Sequence, residues 1–219
     1  MFSCVQSFKE HTFYDFLNHV QESKYIEETH IDDRSIRHNL FSLIISQKIR
    51  FSESMRIHRK LYSLLKYEPS ELGSLDGLMT CEREDVIDIV GSKKYEIMER
   101  VHYYLISCLN IDGSYATLNE EVIRNAGKLK GIGKWTVQCC LLRKGYPLSK
   151  WVDNDASVNT ILEMLRQEWN NNVSNKQVVF HVDQRHLNGT LFSKFWVITR
   201  GSLKERRDWV VHSVHHFLE

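Results

Sequence analysis

Two short segments of the chain carry residue types that could act on an anionic substrate. Residues 129–136 read Leu-Lys-Gly-Ile-Gly-Lys-Trp-Thr, with two glycines around an isoleucine. Glycine permits positive φ and a close approach of the backbone to a ligand, and the N–H groups that begin a helix attract phosphate. Residues 152–155 read Val-Asp-Asn-Asp and offer a carboxylate that could stabilise a developing positive charge. The sequence therefore predicts an anion-binding turn followed by a candidate catalytic aspartate within 152–155.

The charge distribution supports the first half of that prediction. The formal net charge of the 219 residues is only +1, which favours no partner by itself. Between positions 122 and 152, however, no Asp or Glu interrupts the basic residues. Such a run is either a solvated helix face or a phosphate-binding surface, and beside a glycine-rich turn we favour the second. The basic residues of this segment are Arg124, Lys128, Lys130, Lys134, Arg143, Lys144 and Lys150.

These segments resemble the helix-hairpin-helix DNA glycosylase superfamily, typified by endonuclease III and the alkyladenine glycosylases. The family pattern is a helix, a Leu-x-Gly-Ile/Val-Gly hairpin, a second helix and then an aspartate, and Asp155 matches that aspartate in the alkyladenine branch. Residues 41–47, Phe-Ser-Leu-Ile-Ile-Ser-Gln, resemble an early family helix that ends in Ser/Gly-Gln. Residues 91–95, Gly-Ser-Lys-Lys-Tyr, resemble the family's Gly-x-x-Lys segment. The resemblance extends over about 36–165 of this chain.

The resemblance implies an all-α fold of two helical lobes, with a helix-hairpin-helix motif and a cleft between the lobes that binds DNA and the base. The central lobe would span 35–150, and 1–34 together with 151–219 would form the second lobe. Apolar spacing and the presence of only two prolines also favour helices throughout. The predicted helices cover about 7–22, 35–48, 52–65, 82–90, 94–108, 119–127, 134–144, 154–169 and 203–217.

Local signals suggest where some of these helices begin. Ser52 is a plausible N-cap for the third helix, and Asn119 or Thr117 for the sixth. Asn154 or Asp155 could begin the next to last helix. One apolar run, 178–182, could instead form a strand.

Asp155 has two readings that can coexist. An aspartate that precedes a helix is an ordinary N-cap. In the resemblance it lies beside the deoxyribose, where a carboxylate stabilises the cationic transition state of N-glycosidic cleavage and orients or deprotonates the attacking water. Asp153 lies two residues too early for that role.

Trp135 occupies the position at which bifunctional relatives carry a lysine nucleophile. An indole cannot form an imine, so the chain is expected to be monofunctional, without lyase activity. Lys134 is adjacent but points about a hundred degrees around the helix. Trp135 could instead stack on a flipped base, with a preference for one made cationic by alkylation, or simply pack in the core.

The resemblance implies further contacts with base and DNA. Cys139 replaces a pocket aromatic of the alkyladenine pattern, and Tyr103, Trp151 or Trp196 could supply the missing ring. Gln47, Ile49 and Arg50 are candidates for the wedge that fills the duplex and contacts the opposite strand, unless they are only a helix end and a surface arginine. The remaining DNA-binding candidates are Lys94, Lys130, Gly131, Gly133, Lys134 and Thr136. Structural Na⁺ or K⁺ could bind the carbonyls of Gly127, Leu129 and Ile132.

Cysteine and histidine usage limits the cofactors and the compartment. No cysteine follows Cys140, so the iron–sulfur cluster of several endonuclease III relatives is not expected, and no cofactor is required. Five cysteines without paired spacing fit a reduced intracellular protein, in the cytoplasm of a prokaryote or the nucleus of a eukaryote. Without an apolar run approaching twenty residues, no membrane partner is expected.

His212, His215 and His216 share a helix face, and we interpret them as solvated or DNA-facing rather than metal-binding.

The resemblance thus implies a monomeric, monofunctional DNA glycosylase that flips a damaged base, with an alkylated purine as the leading candidate, and hydrolyses its N-glycosidic bond in base-excision repair. Its partner would be duplex DNA that contains the lesion. Two alternatives remain open. One is a glycosylase for oxidised or mismatched bases on the same scaffold. The other is a non-catalytic helix-hairpin-helix protein, against which Asp155 argues because docking alone does not need it.

Overall fold

The structure is a computed structural model. It describes residues 16–17, 19–20, 32–67, 73–110, 112–146, 148, 155–172, 195, 198 and 203–218. These residues are mostly helical and contain no strand, so the chain is all-α over the part described. Its longer helices are α1 (Ile36–Ser46), α2 (Phe51–Leu64), α3 (Arg83–Val90), α4 (Ser92–Ser107), α5 (Asn119–Ala126), α6 (Lys134–Arg143), α7 (Ala156–Asn172) and α8 (Leu203–Leu218).

Packing divides the chain into two compact units. We call 30–153 the central unit, and 1–29 together with 154–219 the terminal unit. The lobe boundaries implied by the resemblance, and the cleft between the lobes, remain predictions. None of the described helices is both long and apolar enough to cross a membrane.

Helix α1 is the centre of the central unit. Its Ser35 cap accepts a hydrogen bond from the His38 backbone N–H at 3.0 Å, which satisfies one of the free donors at the helix start. Buried residues occur on every face of α1, and the helix packs against α4 and α6. This helix is therefore enclosed by the rest of the unit, with its buried polar side chains among the apolar ones. The fully buried side chains of α1 include Leu40, Phe41, Leu43, Ile44 and Ile45.

The terminal unit is held by α7, α8 and helical residues near position 16. The rings of Phe16 and Trp169 lie 5.4 Å apart, and each lies within 5.8 Å of the Phe217 ring. Phe16 and Trp169 are buried, and such pairs add to the stabilisation that burial provides. The predicted first helix is otherwise outside the described residues, as is the strand candidate at 178–182.

Two predicted helix starts are wrong. Helix α2 is capped by Arg50 rather than Ser52, and α5 by Leu118 rather than Asn119 or Thr117. Both actual caps have extended backbones and make no side-chain capping bond, so the path of the preceding turn determines the start. The sequence also failed to predict a short 3₁₀ helix, Asp76–Thr80, whose Asp76 carboxylate accepts a hydrogen bond from the Ser35 hydroxyl.

Candidate functional site

The glycine-rich segment forms a tight turn between α5 and α6. Backbone hydrogen bonds of 3.0 Å close it, from the N–H groups of Lys128, Leu129 and Ile132 to carbonyls three residues earlier. Ile132 is buried and anchors the turn, whereas Leu129 is only half-buried. We call residues 127–133 the α5–α6 turn.

The two glycines of this turn have different roles. Gly131 has φ of +98°, and a Cβ built on it would lie 2.6 Å from the Ile97 side chain of α4. Both the backbone conformation and the close approach therefore require glycine at this position. Gly133 has φ of −90° and open space where a Cβ would lie, so the turn uses the positive φ that glycine permits at Gly131 and not at Gly133.

Positive charge surrounds the exposed side of the turn. Lys128, Lys130 and Lys134 are exposed, as are Gly131 and Gly133. Helix α6 begins directly after Gly133, which offers no side-chain cap. A helix N-terminus carries about half a positive charge, which here adds to the lysines. The arrangement can attract an anion such as a phosphate.

Gln47, predicted to contact DNA, contacts the α5–α6 turn. It follows α1, and its side-chain amide donates to the Gly131 carbonyl at 3.2 Å and to the Thr136 hydroxyl at 2.9 Å. Thr136, another predicted DNA contact, is only 1% exposed. Contact of either residue with DNA stays a prediction, and their mutual hydrogen bond joins positions too far apart in sequence for local spacing to reveal it.

Lys94, also a predicted DNA contact, is half-buried and binds α1. Its ammonium group donates a hydrogen bond to the Ile45 carbonyl in the last turn of that helix. A cation there also interacts favourably with the negative end of the helix dipole. Burial lowers the pKa of Lys94, while the negative charge of Glu53 opposes that shift.

The turn from α1 to α2, residues 47–50, lies next to this anchor. Lys48 has positive φ of 57° and is exposed, Ile49 is half-buried, and Arg50 is exposed at the α2 cap. Lys48 was not among the sequence candidates, although its position between Gln47 and Ile49 could have suggested it. We call residues 47–50 the α1–α2 turn.

Behind the α1–α2 turn, buried polar groups link α1, α2 and α6. Arg143 donates to the Ser42 hydroxyl at 3.1 Å, and that hydroxyl lies 3.0 Å from the His58 Nε2. His58 Nδ1 lies 2.8 Å from the Ser54 carbonyl, which can only accept, so the ring donates from Nδ1. Burial lowers the pKa of His58. The hydrogen bond to the Ser54 carbonyl raises this pKa, and the positive charge of Arg143 lowers it, so the net shift is downward. A neutral His58 therefore completes the chain by accepting from Ser42.

The candidate base-contacting residues of the central unit differ in exposure. Trp135 is half-buried, Cys139 is fully buried and Tyr103 on α4 is 65% exposed. Trp151 and Trp196 lie outside the described residues. Their shared role around a base therefore stays a prediction, as does the cation site at the carbonyls of 127, 129 and 132. The Leu129 carbonyl accepts the hydrogen bond from Ile132 that closes the turn.

Asp155 lies in the terminal unit and caps α7. Its Oδ1 accepts hydrogen bonds from the N–H groups of Ser157 at 3.1 Å and Val158 at 3.0 Å. The residue is 8% exposed. The N-cap prediction is confirmed, and two donors on one oxygen fix the orientation of the carboxylate.

The three histidines of α8 are exposed. His215 Nε2 lies 3.5 Å from a Glu168 carboxylate oxygen on α7, and the His212 and His216 rings lie 6.0 Å apart. Among the described residues, no group of three or more His, Cys, Asp or Glu side chains is arranged to hold a metal ion.

A cavity of about 500 Å³ lies in the central unit, beside the α5–α6 turn, and no pattern in the sequence predicts it. It adjoins the loop that follows α4 and has both hydroxyl and apolar groups in its wall. Its lining residues are Tyr104, Ser107, Cys108, Ala116, Thr117, Asn125, Lys128 and Leu129.

Comparison of the chain with protein-family models, with curated proteins and with solved structures gave no match.

Proposed function

We propose that the chain is a monofunctional DNA glycosylase of the helix-hairpin-helix type, with an alkylated purine as its first candidate substrate. The observation that carries the proposal is the α5–α6 turn, in which Gly131 at φ of +98° exposes the backbone between two helices and exposed lysines surround it. The partner would be duplex DNA that contains the damaged base, bound by a monomer.

The turn suits the backbone of a nucleic acid rather than its bases. Phosphate contacts from lysine ammonium groups and helix N-termini position a protein on DNA without reading its sequence. Lys128, Lys130 and Lys134 project from one short segment, at the positive end of α6. Binding through them would be strongly dependent on salt.

The chemistry would rest on Asp155. Breaking an N-glycosidic bond develops positive charge on the deoxyribose, and a nearby fixed carboxylate stabilises that charge. The hydrogen bonds from Ser157 and Val158 hold this carboxylate in one orientation, which removes the cost of orienting it during the reaction. The same group could orient or deprotonate water. Hydrolysis of this kind uses water alone and requires no redox cofactor.

Trp135 determines what happens after the base is lost. A lysine at this position would attack the sugar and allow strand cleavage through an imine. An indole has no such nucleophile, so the product would be an intact strand with an abasic site. We expect the protein to act where the genome is, in the cytoplasm of a prokaryote or the nucleus of a eukaryote.

The test is incubation with a panel of duplexes, each with one modified base, followed by hot alkali to convert abasic sites into breaks. The panel should include alkylated purines, oxidised bases and mismatches, with an undamaged duplex as the control. Alkali-dependent breaks at an alkylated purine support the proposal. Breaks only at an oxidised or mismatched base support the alternative glycosylase.

A non-catalytic DNA-binding protein is a second candidate, because the N-cap role alone accounts for Asp155. Binding of every duplex in the panel without release of any base would favour this candidate. If the protein neither binds any duplex nor releases any base, both proposed functions of the α5–α6 turn are rejected.

A further inference from the structure

The α1–α2 turn and the α5–α6 turn meet through one side chain. The Gln47 amide nitrogen donates to the Gly131 carbonyl at 3.2 Å and to the Thr136 hydroxyl at 2.9 Å. These bonds span 84 and 89 positions of the sequence. Gln47 therefore connects the end of α1 both to the middle of the second turn and to the first helical turn of α6.

The backbone around Gln47 is itself fixed. The Gln47 N–H donates to the Ile44 carbonyl at 3.2 Å, and the Lys94 ammonium binds the neighbouring Ile45 carbonyl. The Ser46 hydroxyl donates to the Ser42 carbonyl at 2.8 Å. The Gln47 side chain thus projects from an anchored helix end.

Moving the Gln47 side chain out of this position would cost free energy. Its amide nitrogen has two donors, and the two contacts account for both. The Thr136 hydroxyl is almost fully buried, and a buried polar group that loses its partner destabilises a structure. Insertion of Gln47 into a duplex would require both bonds to break.

The two turns together present exposed basic side chains. Lys48 and Arg50 in the first turn and Lys130 in the second are exposed, and within the described part of the chain none forms an ion pair. Glu53, the next acidic residue after Arg50, binds Arg56 at 2.6 and 2.8 Å. No acidic residue in either turn opposes an approaching polyanion.

We propose that Gln47 is a positioning residue that joins the two turns into one phosphate-binding surface for a DNA duplex, and is not a side chain that inserts between the bases. Lys48 and Arg50 extend the surface formed by the α5–α6 turn. The inference rests on the proposed function for the identity of the polyanion, but the joining of the turns can be measured without DNA.

The first measurement is amide hydrogen exchange over residues 129–134 of the full chain, compared among wild type, Gln47→Ala and Gln167→Ala. Gln167 is an exposed glutamine of α7 and serves as the matched control. Loss of the Gly131 contact should speed exchange in the turn about three- to tenfold, the effect of one net hydrogen bond. Unchanged exchange in Gln47→Ala overturns the joining of the turns.

The second measurement is a double-mutant cycle on affinity for an undamaged duplex, with Gln47→Ala, Thr136→Val and the combined variant. If the two residues act as one unit, each single variant weakens binding about three- to tenfold. The combined variant then binds no more weakly than the single variant with the lower affinity. If Gln47 instead inserts between the bases, Gln47→Ala leaves the affinity for undamaged duplexes unchanged and lowers only the affinity for damaged ones. Its effect is then additive with that of Thr136→Val. That second outcome overturns the proposal.

The third measurement concerns the extent of the surface. Lys48→Ala combined with Arg50→Ala should lower the slope of log affinity against log salt by up to about two. Arg59→Ala combined with Lys60→Ala removes two exposed charges elsewhere on α2 and should leave the slope unchanged. Equal slopes in both pairs overturn the extended surface. If wild type binds no duplex, the proposed function fails, while the exchange experiment still decides whether Gln47 joins the turns.

Discussion

The central and terminal units are assembled in opposite ways. In the central unit, the helices from α1 to α6 follow one another along the chain, and the candidate phosphate-binding turn lies between two consecutive helices. In the terminal unit, residues near position 16 pack against α7 and α8, which come from the far end of the chain. The candidate carboxylate, Asp155, begins α7. The proposed binding and the proposed chemistry therefore belong to separately packed units, so mutations should be able to remove one and retain the other.

The largest expected effect is on the chemistry alone. Asp155→Asn should lower the rate of base release about a hundredfold or more, because it removes a fixed negative charge. An amide oxygen can still accept the capping bonds, so the fold and the affinity for abasic-site DNA should stay within a few-fold. Single-turnover base release and a binding titration measure the two quantities. Asp153→Asn is the control, and equal rates in Asp155→Asn and wild type would reject the catalytic role.

Acid should destabilise the central unit. Burial, followed by the charge of Arg34, lowers the pKa of His38 to about 4 from about 6.5. The unfolded chain therefore takes up this proton at a higher pH than the folded chain does. The contribution of His38 to stability is constant above about pH 6.5 and falls as the pH drops toward 4. At about 1.4 kcal/mol per pH unit, the loss is about 3 kcal/mol. The charged groups around His38 are Arg34, Asp32, Arg143 and Asp76.

Urea unfolding at several pH values would measure this loss. His38→Gln can still accept the hydrogen bond that the Leu75 N–H donates to His38 Nδ1 at 3.0 Å. The variant should therefore fold at neutral pH and lose less stability on acidification than wild type. An identical pH dependence in the two proteins would show that His38 is not responsible.

The two glycines of the α5–α6 turn should differ in their effect on stability. Gly131→Ala places a side chain at positive φ and against Ile97, which should cost about 2–4 kcal/mol. Gly133→Ala, at negative φ and in open space, should change stability by about 0.5 kcal/mol or less. Denaturant unfolding gives both values. Equal effects would mean that the turn does not adopt this conformation in solution.

A smaller effect is expected from the lysines of the same turn. Lys130→Ala combined with Lys134→Ala should lower the slope of log affinity against log salt by up to about two, without changing the rate of base release from bound DNA. The Arg59→Ala, Lys60→Ala pair controls for net charge. An unchanged slope would show that the central unit does not bind DNA through this turn.

The last expected result is the absence of any covalent complex between the protein and DNA. Borohydride should trap no covalent complex between the wild-type protein and DNA, because Trp135 cannot form an imine. Strand breaks should appear only after alkali or heat. A strong adduct would overturn the monofunctional assignment, and mapping it to Lys134, Lys130 or the N-terminal amine would identify the nucleophile.

Helix positions could be predicted from the sequence because they depend on local spacing. The apolar residues of α1, α4 and α6 recur at helical intervals, and those helices begin and end within about two residues of the prediction. The caps at Ser52 and Asn119 were wrong because a favourable residue type is not sufficient for capping. The backbone must also be extended there, and the preceding turns give that conformation to Arg50 and Leu118 instead.

The candidate site could be predicted only in its residue types. Gln47, Lys94 and Thr136 were all singled out, yet each has a hydrogen-bond partner at least 49 positions away. Local spacing contains no information about such pairs, which depend on how α1, α4 and α6 pack. The requirement for glycine at Gly131 similarly depends on Ile97, from another helix. Asp155 was predicted more fully, because the N–H groups that it caps are two and three residues away.

The aromatic contacts of Phe16 have a consequence for synthesis on the ribosome. Phe16 emerges early, but Trp169 and Phe217, whose rings lie 5.4 and 5.5 Å from it, emerge after the whole central unit. At about 5–20 residues per second, Phe16 must wait roughly ten to forty seconds for them. The central unit can complete its own packing during that time. The Phe16 ring cannot, so it stays without these two partners until α7 and α8 have both been made.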